Sequence, residues 1–171
     1  MYDVSSKDSF QAVVGSAGLP MFGGGGQVRS GGFFAEIAVE RYQKRGERVF
    51  VNNGDVFKLG IADTITVVPI YATVGFRAGG NISGYGGAGV GQYLFRETAD
   101  FSDDSDNRLD RFTSYHGLAG VEFSARSAVR VAVEVQYTTV PNSIGAGGAS
   151  AEFGESNLGG LQARVKLLVG R

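Results

Sequence analysis

The chain has no cysteine, no tryptophan, one histidine and only three prolines in 171 residues. Without cysteine there is neither a disulfide staple nor a thiolate metal site. So little proline excludes collagen-like and proline-rich linker sequences. The formal net charge is −1, so the basic footprint of a nucleic-acid binder is missing and no nucleic-acid partner is expected. No run approaches the ~20 consecutive apolar residues of a spanning helix. The opening "MYDVSSKDSF" lacks the basic start and apolar core of a signal peptide. An exported protein with this sequence would therefore be a mature or truncated form. Helical periodicity is nearly absent as well.

What the chain has instead is glycine, 28 of 171 residues, about twice average usage, and alternation. In "VRVAVEVQY" Val129, Val131, Val133, Val135 and Tyr137 share one face of a strand. Arg130, Ala132, Glu134 and Gln136 share the other, which is the period-two mark of a strand with two unlike sides. Such segments recur at 21–30, 32–43, 62–78, 83–97, 110–125, 128–140 and 157–170. Several exceed ten residues, against a mean of about five or six in soluble sheets; a strand crossing a bilayer at a tilt needs about 9–11.

The links between these strands alternate in length. Short ones at 30–32, 78–81 and 125–128 are separated by long polar ones at 44–63, 98–110 and 141–156. Tight turns at one end and long loops at the other are the wiring of an outer-membrane barrel. "NNG" at 52–54 predicts a hairpin inside the first long link. Seven strands are clear, and an even number requires an eighth at the N-terminus. "MYDV" leaves that strand short or truncated, with residues 5–19 as a long loop and "DSFQAVVG" as a possible contributor to the strand.

Extending the alternation assigns two faces. Phe33, Ile37, Val39, Val121, Phe123, Val129, Val131, Val133, Val135, Leu161, Val165 and Leu167 fall on the apolar side, read as lipid-facing. Glu36, Glu40, His116, Glu122, Arg130, Glu134, Gln136, Gln162, Arg164 and Lys166, with Gln27, fall on the polar side, read as a lumen network. Charges of both signs are present in similar number, so they can pair inside a barrel whose interior is just filled by side chains. Aromatic residues near strand ends, among them Phe33, Tyr42, Phe76, Tyr85 and Tyr137, fit an interfacial girdle.

The segments "GERVFV", "GYGGAGVGQYLFRETADF", "VEVQYTTVPN" and "NLGGLQARVKLLVGR" resemble the outer-membrane β-barrel domain proteins, the OmpA/OmpW-like small barrels. The resemblance runs from about residue 8 onward. It implies an eight-stranded barrel with periplasmic termini, no agreed activity and no catalytic residues to transfer. The sequence departs from that family in its curtailed first strand and in ending on Arg171 where many such barrels carry an aromatic residue.

Other motifs weigh less. "GYGGAG" at 84–89 matches G-x-G-x-x-G literally, but "VGQYLF" continues it as a strand, and a pyrophosphate site needs a helix there. Asp103, Asp104 and Asp106 form a weak candidate Ca²⁺ loop without the glycine and distal glutamate of an EF-hand. Their ordinary reading is a solvated surface loop. Ser114, His116 and Glu122 could be imagined as a hydrolase trio, though a structural histidine in a polar interior is the plainer reading. The basic stretch "RYQKRGER" at 41–48 could meet lipopolysaccharide phosphates or simply face water.

The sequence thus predicts one all-β domain over 1–171: an antiparallel, up-and-down transmembrane β-barrel of eight strands. It is expected to be a non-catalytic monomer without cofactor, in the outer membrane of a Gram-negative-type bacterium. Membrane lipid and lipopolysaccharide are its expected partners. The alternative readings are a soluble lipocalin-like barrel holding a small apolar ligand, with the valines lining the cavity, and a lipid-modifying enzyme.

Overall fold

Nine strands and two helices follow one another in the computed structural model, which describes residues 1–52, 55–99, 108–126, 128–144 and 148–170. In chain order they are β1 (Tyr2–Val4), α1 (Lys7–Val14), β2 (Gly18–Leu19), β3 (Phe22–Ser30), β4 (Phe33–Asn52) and β5 (Asp55–Gly79). Then come β6 (Ile82–Ala99), β7 (Arg108–Arg126), β8 (Val129–Thr139), α2 (Gly148–Glu152) and β9 (Gly160–Val169). All the strands join one antiparallel sheet in the order β2-β1-β9-β8-β7-β6-β5-β4-β3. From β3 to β9 every chain neighbour is also a sheet neighbour, as short links between alternating strands require.

The sheet rolls up on itself. Five ladder steps separate β4 from β9, a distance of about 24 Å in a flat sheet at ~4.8 Å per step. Yet Glu40 on β4 and Arg164 on β9 meet at 2.8 Å. The right-handed twist of long strands and the glycines along β3 and β6 permit the curvature.

Closure is incomplete, which departs from the eight strands expected. No ladder joins β3 to β9. β1 covers only Gly160–Gln162 of β9, and the line from β2 into β3 is interrupted at Pro20, which has no N–H to give a ladder. The long link 44–63 is also different from expectation. β4 and β5 run straight through it and stay paired out to Asn52 and Asp55, with one irregularity between Glu47 and Val49. Residues 53–54, where "NNG" places its turn, lie outside the described residues; Asn52 and Asp55 on either side are paired.

Residues 7–14, read from sequence as loop or strand, form α1 instead. Phe10 and Val14, one turn apart, are buried with Ser9. The helix ends at Gly15, whose φ of 70° is left-handed and whose N–H donates to Gln11 O at 3.0 Å. Its N-terminus is held from far along the chain. Glu155 accepts from the N–H of Asp8 at 3.1 Å and of Ser9 at 2.9 Å, placing an anion where unsatisfied donors and the helix dipole favour one. Eight residues give too short a pattern to separate helix from strand by periodicity.

Inside the roll, glycines sit where large side chains need room. A Cβ on Gly75 would overlap the Phe34 ring, and one on Gly120 would meet the Tyr85 ring at 2.6 Å. Gly84, by contrast, points into open space. Gly75→Ala is therefore expected to destabilise the fold by about 1–3 kcal/mol through overpacking. Gly84→Ala should stay within about 0.5 kcal/mol. Urea unfolding of the two variants measures the contrast, and equal effects would contradict the inward placement of Gly75.

Candidate functional site

The inner face of the sheet is graded along its length. Near the short links, Glu122 on β7 is gripped by three arginines: Arg29 Nη2 at 2.8 Å, Arg77 Nη2 at 3.1 Å and Arg130 Nε at 3.3 Å. They come from β3, β5 and β8, so one carboxylate ties four strands together. Arg29 holds it with both terminal nitrogens, Nη1 lying 3.2 Å from Oε1, in the bidentate geometry that makes Arg–carboxylate pairs strong.

The next layer is a chain of alternating charge. Lys166 Nζ donates to Glu36 at 2.7 Å and to Glu134 at 2.8 Å. Arg164 joins Glu134 at 2.5 Å to Glu40 at 2.8 Å. Gln162 donates to Glu40 at 2.8 Å, Tyr85 donates to Glu134 at 3.0 Å, and Arg164 also donates to Gln136. Three carboxylates thus alternate with two cations, and the Glu134 side chain is fully buried. Buried charges survive only when paired and hydrogen-bonded in this way.

Beyond the charges the interior turns aromatic. Tyr71 and Tyr93 hydroxyls share a hydrogen bond of 2.8 Å, and His116 lies edge-on to Tyr71 at 5.0 Å. Above them Tyr2, Tyr42, Ile65, Val67, Val140 and Leu158 pack with Phe10 and Val14 of α1 into an apolar cluster. Tyr2 donates to the carbonyl of Leu158. The helix and this cluster close the end of the roll that carries the long links.

All eleven residues assigned to the polar side point inward. Glu36, Glu40, His116, Glu122, Glu134, Gln136 and Gln162 are buried, while Gln27, Arg130, Arg164 and Lys166 are half-buried. Of the apolar set, Phe33, Ile37, Val39, Val121, Phe123, Val133, Val135, Leu161, Val165 and Leu167 are exposed on the outer face. Val129 and Val131 are half-buried. The girdle residues divide: Phe33, Phe76 and Tyr137 face outward, whereas Tyr42 is buried in the core and Tyr85 turns in toward Glu134.

The other candidates are not assembled into sites. His116 Nε2 shares a 2.8 Å hydrogen bond with Thr73 Oγ1, while Glu122 is held by its arginines, so Ser114, His116 and Glu122 do not form a relay. "GYGGAG" lies within β6 and no helix follows it. Asp103, Asp104 and Asp106 lie outside the described residues. In the basic stretch, Arg41 donates to Gln43 at 2.8 Å and both side chains are exposed. Arg29 and Arg77 were missed in the sequence, although strict alternation from Gln27 and from Thr73 would have found both.

Comparison with known proteins gave no matching family model, no matching curated protein and no matching solved structure. The geometry alone must carry the function.

Glu134→Gln leaves both cations a second carboxylate but removes the central charge. It is expected to cost about 3 kcal/mol, the low end for breaking a buried pair. The exposed Glu152→Gln should stay within about 0.5 kcal/mol. Equal small losses in urea unfolding would mean that Glu134 is solvated and unpaired.

Proposed function

We propose that this chain is a small, non-catalytic outer-membrane β-barrel protein of eight strands, with β2 and β3 forming one strand broken at Pro20. The observation that carries this reading is the inversion of its faces. Phe33, Ile37, Val74, Phe76, Val133, Val165 and Leu167 stand outward, each more than half exposed. The charges are turned inward and paired. In water these side chains would form apolar patches well beyond the few hundred Å² that monomeric soluble proteins carry; in a bilayer they would be solvated by lipid.

On this reading the short links face the periplasm and the long ones the exterior of a Gram-negative-type cell. The packed interior, charged at one end and capped by α1 at the other, makes the protein a structural or surface-interacting barrel and not a pore. The β4–β5 hairpin extends past the interior layers and carries exposed Phe50, Phe57 and Leu59. With Arg41 and Arg45 exposed lower on the same hairpin, it would be the part that meets lipopolysaccharide or a partner at the surface. A soluble barrel holding an apolar ligand is disfavoured by Glu36, Glu40, Arg164 and Lys166, the charges that line the space such a ligand would need.

The test is a substitution with opposite consequences in lipid and in water. Val133→Arg is expected to cost about 2–4 kcal/mol in lipid vesicles if the side chain lies near the bilayer midplane. In a soluble protein the same exposed change should stay within about 0.5 kcal/mol. Folding should also require detergent or lipid, with a band that migrates differently on a gel before and after boiling. A monomer that folds in plain buffer and tolerates Val133→Arg would overturn the proposal.

A further inference from the structure

At the end of the roll that carries the short links, three cations share one carboxylate. Arg29, Arg77 and Arg130 all pair with Glu122 and, among the described residues, with no other acidic side chain. Two positive charges are left over there. The next layer runs the other way, with Glu36, Glu134 and Glu40 against Lys166 and Arg164. Lys166 stands between Arg164 and Leu168, the register partner of Arg130, so a cation separates that layer from the arginines. The surplus is local to the arginine cluster.

Like charges withdrawn from water repel one another unless an anion joins them. The three side chains are only 21%, 20% and 28% exposed. Arg77 Nε is buried and has no hydrogen-bond partner among the described residues, a donor that calls for an acceptor. The cluster also borders a cleft of about 890 Å³ between β3 and β9, through Gln27, Arg29, Arg130 and Lys166. A chamber of about 10 Å³ adjoins it, walled by Arg29, Arg77, Glu122 and Tyr85. That is room for about one oxygen-sized group. Gln27, Arg29 and Lys166 line both spaces. The outer lips of the cleft at this level are apolar and exposed: Val28 on β3, Leu167 and Val169 on β9.

We propose that Arg29, Arg77 and Arg130 form a binding site for a phosphomonoester group. Such a group carries about −1.5 to −2 charges near neutral pH, which matches the surplus. Its tetrahedral oxygens serve several guanidinium forks at once. One oxygen enters the chamber toward Arg77, and the others meet Arg29 and Arg130 at the cleft. A carboxylate or a phosphodiester brings a single charge and two free oxygens, and so answers the surplus only in part. The site lies on the inner face and holds whether the outer face meets lipid or water. Two sources would present the group: a soluble phosphomonoester, or an anionic lipid whose acyl chains leave between the apolar lips.

Phosphorus NMR on the full chain in a phosphorus-free maltoside detergent tests the site. The probes are dihexanoyl phosphatidic acid, dihexanoyl phosphatidylglycerol and glycerol 3-phosphate, each titrated by line broadening to a Kd. Phosphatidic acid, a monoester, is expected to bind about tenfold more tightly than the diester phosphatidylglycerol, as one further charged hydrogen bond would give. Arg130→Gln should weaken that binding by about tenfold, and Arg130→Lys, which keeps the charge, should recover part of it. Lys7→Gln, at an exposed ion pair on α1, should leave it unchanged. The two monoesters identify the source. Glycerol 3-phosphate bound as tightly as phosphatidic acid or more so assigns a soluble ligand, and tighter binding of phosphatidic acid assigns the lipid. Equal binding of the two lipids, no binding of either monoester, or a Kd that Arg130→Gln leaves unchanged overturns the site. The panel on the unaltered chain decides alone if Arg130→Gln does not fold. A chain that folds in plain buffer is titrated there with glycerol 3-phosphate, so failure of the membrane reading is told apart from failure of the site.

Discussion

Two side chains of β9, Arg164 and Lys166, hold the roll together. Each bridges Glu134 on the neighbouring strand to a glutamate on β4, five ladder steps away. Backbone ladders set the spacing of adjacent strands but leave the curvature of a sheet free. The ion pairs across the interior define that curvature, because two cations between three buried carboxylates have no other place to be satisfied. At the short-link end the three arginines on Glu122 do the same for β3, β5 and β8. The inside of the molecule is therefore specified by charge, and by the cost of leaving any one charge alone.

The remaining interior follows from fitting large groups beside small ones. Phe34 lies over Gly75, Tyr85 over Gly120 and His116 against Gly89. Where the charges stop, tyrosines with paired hydroxyls take over, and the apolar cluster under α1 completes the fill. That cluster depends on a remote contact. Glu155, between α2 and β9, caps α1 more than 140 residues earlier in the chain. The long link before β9 thus has a defined structural task at the end of the roll.

Strand content and the inward and outward faces could be read by alternation because period two allows only two choices at each position. Glu36, Glu40, Glu134, Arg164 and Lys166 all lie on the side their parity gave them. Three features escaped that logic. α1 has the same eight residues of mixed polarity whether it is helix or strand, and only packing of Phe10 and Val14 over the interior decides. Tyr42 and Tyr85 were placed by their position near strand ends; Tyr42 shares the parity of Glu40, which already puts it inside, whereas Tyr85 is turned inward by its pairing with Arg77 and Gly120. Strands β4 and β5 were cut short because "QKRGER" and "NNGD" are polar, although a projecting hairpin needs no buried face to remain paired.

By itself, then, the sequence determined one antiparallel all-β sheet and, for the residues that alternation assigned, the side of that sheet on which each stands. These are local properties, carried by neighbours two residues apart. Only the tertiary structure decided which charge meets which, that Glu122 collects three arginines, that α1 closes one end, and that β3 and β9 leave a seam. Those outcomes depend on how far the sheet curls and on strand register summed over the whole circuit, and no short window of sequence contains either quantity.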